Sequence, residues 1–253
     1  MILPKFKNKL LKFGNTLIIA NVGPVPPGPE PTPPENALSL NGEAISIGND
    51  YITVGQGGAP QGVEIGGRFY PTVTIGNQEW LAENLDFKFD GLVVGQGSSS
   101  SEPRANYYRN DEATYGVNGN KYGLLYNWTA VKYLKDNKST LFPEGWRVSS
   151  QVDWDNLITA VGGSSVAGTK LRSTAGWTVA NGTDDFGFAI FPAGAQNSGS
   201  FYNVGIFAYF WTSVESAGTA FAYSRSFRAD SDPATGTSSK TLGYSVRLVR
   251  TIS

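Results

Sequence analysis

The 253-residue chain contains no histidine and no cysteine. The first absence removes the Ser-His-Asp triad and every imidazole metal ligand, and the second removes thiol nucleophiles, cysteine zinc clusters and disulfides. Most familiar hydrolase chemistry is closed, as is an acylated-cysteine anchor. Charge is sparse too: Asp, Glu, Lys and Arg make up 16% of residues, against about 25% in an average soluble domain. The net charge of −1 provides no field to attract nucleic acid or an anionic membrane. No apolar run in the sequence approaches the roughly 20 residues that a membrane-spanning helix needs.

What the chain has in quantity is Gly (31), Pro (14) and aromatic residues at 13%. That balance favours turns and strands over long helices, with large side chains to fill a core. The first 23 residues, MILPKFKNKLLKFGNTLIIANVG, carry Lys5, Lys7, Lys9 and Lys12 and no acid, which marks residues 1–23 as a separate basic and apolar segment. It reads as an extended or helical peg that docks on a larger assembly. The alternative is an atypical export signal cut near Ala20-Asn21, although Gly14, Asn15 and Thr16 interrupt the apolar run a signal requires. Residues 24–34, PVPPGPEPTPP, hold seven prolines and read as a stiff polyproline II spacer roughly 34 Å long at about 3.1 Å per residue, within a linker placed at 24–35.

From residue 36 to 63 short apolar runs are cut by Asn41-Gly42 and Gly48-Asn49-Asp50, the pattern of small hairpins. The larger domain is placed at 64–253. Within it Tyr70, Val73 and Ile75 fall in a strand that turns at Gly76-Asn77, and Glu79 and Glu83 read as solvent-facing charge. Residues 91–103, GLVVGQGSSSSEP, have too little apolar surface to order themselves and read as a mobile loop. Two short helices are expected. One lies within 122–136 with Leu125, Trp128 and Val131 on its apolar face; the other follows Ser150, whose spacing to Asp153 is that of a capping box, and stops at Gly162-Gly163. Strands and turns return after it, ending in GYSVRLVR (243–250). The fold class is α+β.

The ordered segments TVTIGNQEWLAENL (72–85), YGLLYNW (122–128), PEGWRVSSQVDWDNL (143–157), DDFGFAIFPAG (184–194), FWTS (210–213) and GYSVRLVR (243–250) resemble the Fibrobacter succinogenes major paralogous domain. The resemblance spans about residues 64–250 and implies a C-type lectin-like fold of antiparallel strands and two short helices. Members often carry cysteines before the GWR motif and near the last strand; this chain has none, which fits assembly in a reducing cytoplasm. Sulfatase-modifying relatives of the fold work through cysteines, so no enzyme is expected. No EPN, QPD or WND triplet is present, and neither a metal nor another cofactor is called for.

Such domains occur in surface proteins of gut bacteria and as receptor-binding heads of phages that use diversity-generating retroelements. The resemblance therefore implies a phage head or tail fibre protein on the virion surface. It would be held to a virion structural protein by residues 1–23, assembled as a homotrimer, and would grip a host cell-surface glycan or protein for attachment. A bacterial cell-surface or secreted adhesion module is the alternative, and a capsid decoration without host affinity is a third. Residues 195–240, rich in Ser, Gly, Tyr, Phe, Ala, Asn and Thr, have the composition of a paratope, in which aromatic rings give contact area and small polar residues adapt. An ordinary β-meander with half its aromatics in the core is equally compatible with those counts. In diversified relatives this tract forms the binding face, which implies contacts from Tyr202, Ile206, Phe207, Tyr209, Val214, Ser216, Thr219, Phe221, Tyr223, Ser224, Ser226 and Arg228. Phe210 and Trp211 are assigned to the core.

Overall fold

The computed structural model describes residues 61–95, 97–111, 121–218 and 220–252, together with short paired strands inside the first 60 residues. Two compact units result, Met1–Pro60 and Gln61–Ser253. In the first, β1 (Lys7–Phe13) and β2 (Thr16–Val22) pair antiparallel, with Phe13 opposite Thr16. The basic segment is thus a β-hairpin rather than a helix. Two shorter antiparallel pairs follow, β3 (Ser39–Leu40) with β4 (Glu43–Ala44) and β5 (Ser46–Ile47) with β6 (Asp50–Tyr51); the expected turn residues Asn41-Gly42 and Gly48-Asn49 lie outside the described residues. The polyproline arm, 24–35, lies outside the described residues.

The second unit starts with β7 (Gly62–Ile65), β8 (Arg68–Ile75) and β9 (Gln78–Leu81). The β8–β9 turn is at Gly76-Asn77, where Gly76 takes φ +62. Glu79 and Glu83 are not solvent-facing. Glu79 accepts from Thr72 Oγ1 at 2.7 Å and from Arg250 Nε at 2.6 Å, and Glu83 is paired with Arg68. Glu79 lies in a strand and Glu83 in the bend after it. The Ser-rich stretch is also tied down: β10 (Val93–Val94) pairs parallel with β11 (Arg104–Tyr107), and Asn127 Nδ2 donates to Ser99 O and Glu102 O, each at 2.8 Å. A side chain from elsewhere supplies the order that the segment's own composition does not.

After a 3-10 turn at Tyr108–Asn110, β12 (Leu124–Tyr126) runs into α1 (Trp128–Asp136) and a single turn, α2 (Lys138–Leu141). Leu125 is therefore a strand residue. The helix begins at Asn127, whose side chain accepts from Ala130 N and so satisfies an end N–H. Next come β13 (Arg147–Val148), α3 (Gln151–Ala160) and α4 (Ser164–Leu171). The expected capping box is present at Ser150 and Asp153. Gly162 and Gly163 end α3 at φ +110 and +95, but Gly163 is also the N-cap of α4, a helix where strands were expected. The described residues thus hold four short α-helices, not two. Weak helix formers (Ser, Val, Gly, Thr) take five of the eight places in α4, and tertiary packing overrides them: Ala167 and Leu171 are buried, and Gly168 lies against the start of β18 at Ser231 and Pro233.

The remaining strands are β14 (Ala195–Asn197), β15 (Ser200–Tyr202), β16 (Phe207–Glu215), β17 (Phe221–Arg228), β18 (Ser231–Ser239) and β19 (Leu248–Thr251). β19 returns to the first sheet, whose order is β13-β19-β9-β8-β7, while β16-β17-β18 form a separate antiparallel sheet. This second sheet separates two apolar clusters. Trp211 and Ala222 join Trp128, Tyr126 and Val246 in one; Ala208, Phe210 and Phe227 join Trp80, Trp154 and Phe188 in the other. Phe210 and Trp211, neighbours in sequence, thus fill opposite clusters, as period-2 alternation requires. The unit is α+β, mostly antiparallel, with few short helices.

Candidate functional site

The motifs of the sequence converge on one buried cation. Arg247 is fully enclosed, and its guanidinium donates to Asn84 Oδ1 at 2.8 Å, Leu81 O at 2.6 Å, and the carbonyls of Phe188 and Ala189 at 2.9 Å each. It lies over the rings of Phe188 and Phe210 at 4.6 and 6.0 Å. Burial pulls its pKa down to about 9, opposed by the charges of Glu83 and Asp184, so it remains charged at neutral pH. Asn84 is held in turn, donating to Tyr122 O at 3.0 Å and Ser245 Oγ at 3.2 Å. The AENL, DDFGF, FWTS and SVR segments thus share one polar knot. Residues 243–249 of the last motif are buried throughout.

A second knot holds the GWR motif. Asp153 accepts from Arg147 Nη2 at 2.8 Å, from Gln78 Nε2 at 3.1 Å, and from the Ser150 backbone N–H at 2.7 Å. Burial would raise its pKa, but the bonds from Arg147 and Ser150 outweigh it, and the carboxyl sits below its ordinary range. Asp184 goes the other way, pushed up by burial although Ala189 N donates to it at 2.7 Å. None of these groups faces an open cleft. Arg247 and Asp153 are tied up in buried contacts, and the surface of β16, β17 and β18 is the candidate that remains.

On that sheet the register sets Phe207 opposite Arg228, Tyr209 opposite Ser226, and Trp211 opposite Ser224. A row of rings results. Phe207 stacks on Tyr209 at 5.1 Å, Tyr209 on Tyr244 at 4.9 Å, and Tyr244 leans on Trp211 at 4.7 Å. The inner end is closed, since Tyr244 and Trp211 are buried. The outer end is half open at Phe207 and Tyr209, where the Arg228 guanidinium lies 5.3 Å from the Phe207 centroid. Asn203 Nδ2 donates to the Tyr209 hydroxyl at 2.8 Å and fixes its direction; burial pushes that phenol's pKa up while the Asn203 bond works against it. Ser226 and Ala234 are the small residues beside the rings. Arg228 also pairs with Asp230 at 2.7 Å, and past it a polar cavity of about 220 Å³ is lined by Ser165, Thr169, Asp230 and Asp232 among others.

The twelve expected contacts fall into two groups rather than one face. Tyr202, Ile206, Phe207, Tyr209, Ser226 and Arg228 are half-buried or exposed around the open end of the ring row. Val214, Ser216, Phe221 and Tyr223 lie near the β16–β17 turn, roughly 15–20 Å away along strands rising about 3.3 Å per residue. Phe221 is 49% exposed there. Ser224 is a correction: at 5% exposure it is buried, its hydroxyl 3.0 Å from that of Ser238, to which Tyr244 also donates. Thr219 lies outside the described residues. Sequence reasoning missed Asn203, Ala234 and Tyr244. Asn203 becomes visible only through its bond to the Tyr209 hydroxyl, Ala234 only through the register of β17 and β18, and Tyr244 sits inside a motif assigned to scaffold.

Among the described residues no group of three acidic side chains stands together to hold a metal ion, and no helix is long and apolar enough to cross a membrane. No curated protein and no solved structure matches the chain. The family model of the Fibrobacter succinogenes major domain matches residues 73–250, a span containing both polar knots and the ring row. The chain belongs to the Fibrobacter succinogenes major domain family.

Proposed function

We propose that residues 61–253 form a C-type lectin-like head that binds a host cell-surface glycan or protein through the open end of the ring row. The virion surface is the reading we favour for its location. The observation that carries the binding reading is a division of labour. The family motifs are consumed by buried contacts around Arg247 and Asp153, whereas Phe207, Tyr209, Ser226 and Arg228 present partly open rings, a cation and small neighbours. Rings paired with an adaptable polar surround are the composition of rigid-anchor recognition. An arginine already seated over a ring is positioned to take a carboxylate or a hydroxyl-bearing ligand. The hairpin of β1 and β2 would dock this head on a virion structural protein. Nothing in the reading calls for catalysis or a cofactor.

The test has two arms. Mass spectrometry of purified phage particles and of host envelopes locates the chain: an intact N-terminus in particles supports the virion reading, and a chain cut near Ala20-Asn21 in envelopes makes the adhesion module the working model. Labelled full chain is then added to intact bacterial cells. Saturable binding that Arg228→Ala and Tyr209→Ala abolish supports the face, and binding unchanged by both variants removes it.

A further inference from the structure

We propose that two copies of this chain join edge to edge through β18, antiparallel about a two-fold axis at Gly236. The strand spans Ser231–Ser239 and pairs with β17 alone. Among the described residues, no backbone hydrogen bond reaches residues 232–238 from outside that pair. Among the described residues, the outer row of N–H and C=O groups is therefore unmatched. Edges of this kind are normally blunted by lysine, proline, a bulge or a covering element. Here Pro233 and α4 guard only the start of the strand, where Gly168 approaches Ser231 and Pro233. Ala234-Thr235-Gly236-Thr237-Ser238-Ser239 is uncharged, free of proline and mostly exposed. Nothing in that run opposes a further strand.

The identity of the added strand follows from its ends. Outward-facing backbone groups recur at every second residue, so two copies of one strand can meet only in registers whose paired numbers sum to an even value. With Gly236 opposite itself, Asp232 of each copy lies opposite Lys240 of the other, Thr235 opposite Thr237, and Ala234 opposite Ser238. Opposite charges and threonine pairs across strands are the favourable combinations. Lys240 already holds Glu215 at 2.9 Å, and an ammonium has donors for a second carboxylate. The neighbouring registers do worse. Centred on Thr237, Asp232 meets Leu242; centred on Thr235, Asp232 meets Ser238, and Lys240 faces Asp230, which lies in the turn before the strand rather than on its ladder. The match at both ends from one register is what selects a second copy over an unrelated strand.

Residues directly opposite on antiparallel strands share a face. The joined sheet would therefore carry both ring rows on the same side, and two weak sites at fixed spacing act together on a repetitive surface. The pairing stands whether or not those faces bind anything.

The chain's lack of cysteine makes the test specific, because a single introduced thiol reports only on its own position. Directly opposite residues have Cα atoms about 4.5–5.5 Å apart, within disulfide range. At Gly236 an added Cβ meets only Ser224 Oγ, at 3.9 Å, so the substitution fits the monomer. Full-length Gly236→Cys under mild oxidation is expected to run mostly as a covalent dimer on a non-reducing gel. Ala234→Cys, about 13 Å from its own copy at roughly 3.3 Å per residue, stays single. Asp232→Lys in the cysteine-free chain should weaken the dimer roughly tenfold in sedimentation equilibrium. A chain that sediments as a monomer, a trimer that does not cross-link at Gly236→Cys, or equal cross-linking at both cysteines overturns the pairing. An association made only through the N-terminal hairpin would give the last or second of these results, and so would be told apart.

Discussion

Asn84 Oδ1 accepts a hydrogen bond from Arg247 Nε at 2.8 Å across 163 residues of chain, with both side chains fully buried. A buried guanidinium without a directly bonded carboxylate is stable only where its donors find acceptors, and here one side chain, Asn84, and the carbonyls of Leu81, Phe188 and Ala189 take four of its five N–H groups. Arg247→Met fills similar space but leaves Asn84, Leu81, Phe188 and Ala189 oxygens without a donor. At about 1–3 kcal/mol for each buried group left unsatisfied, the expected loss is at least about 4 kcal/mol, enough to unfold a marginal domain. Urea titration followed by tryptophan fluorescence measures it; an unchanged midpoint would remove the knot from the account of stability.

Asp153 predicts how the domain responds to acid. Its carboxyl is held below the ordinary range by Arg147 and Ser150 against the effect of burial. A depressed folded-state pKa gives stability that is present above the unfolded value near 3.9 and is lost as pH falls through the folded value. Melting temperatures of the native chain should therefore fall steeply below about pH 4. Asp153→Asn loses the cap and the charge pair together, costs about 3 kcal/mol at pH 7, and shows a flatter acid limb. Parallel curves for the two proteins across pH 2–5 would contradict this assignment.

Gly194 tests backbone geometry rather than chemistry. It takes φ +66, and a Cβ there would stand 2.4 Å from Tyr202 O, a backbone atom that cannot step aside without moving β15. Gly194→Ala is expected to cost more than about 2 kcal/mol, from strain at positive φ and the clash together. Gly168→Ala is the contrast, because its nearest atom is Ser231 O at 3.5 Å and it sits inside a helix. That change should be neutral or stabilising by up to about 1 kcal/mol. Thermal melts of the two variants decide the matter side by side.

The ease of reading each part of the sequence followed the range of the forces involved. The turn at Gly76-Asn77 and the cap at Ser150 are set by residues within four positions, and they stand where the sequence puts them. Helix α4 was invisible because Ser164 to Leu171 are poor helix formers held by packing against β18 and α3. The Ser-rich stretch looked orderless because its anchor, Asn127, is contributed from outside it. The candidate face is the clearest case. Composition points to a tract, but which of its residues share a surface depends on a register that leaves Phe207, Tyr209 and Ser226 half open and turns Ser224 under Tyr244.

The open end of the ring row should separate binding from stability. Arg228 is exposed, and its contacts are Asp230 and the Phe207 ring, so Arg228→Ala removes a surface pair and a cation–π contact worth about 1 kcal/mol together at most. Tyr209→Phe deletes only the hydroxyl that Asn203 orients and should leave the stack and the melting temperature within about 3 °C of the native chain. If this end of the sheet grips a ligand, both variants lose at least tenfold in affinity for intact host cells while remaining folded. The far group supplies the control, since Phe221→Ser removes an exposed ring at the β16–β17 turn without touching the row. Binding lost with Phe221→Ser and retained with Arg228→Ala would move the site to that turn, because a change that leaves both Arg228 and Tyr209 in place can reach the ligand only there.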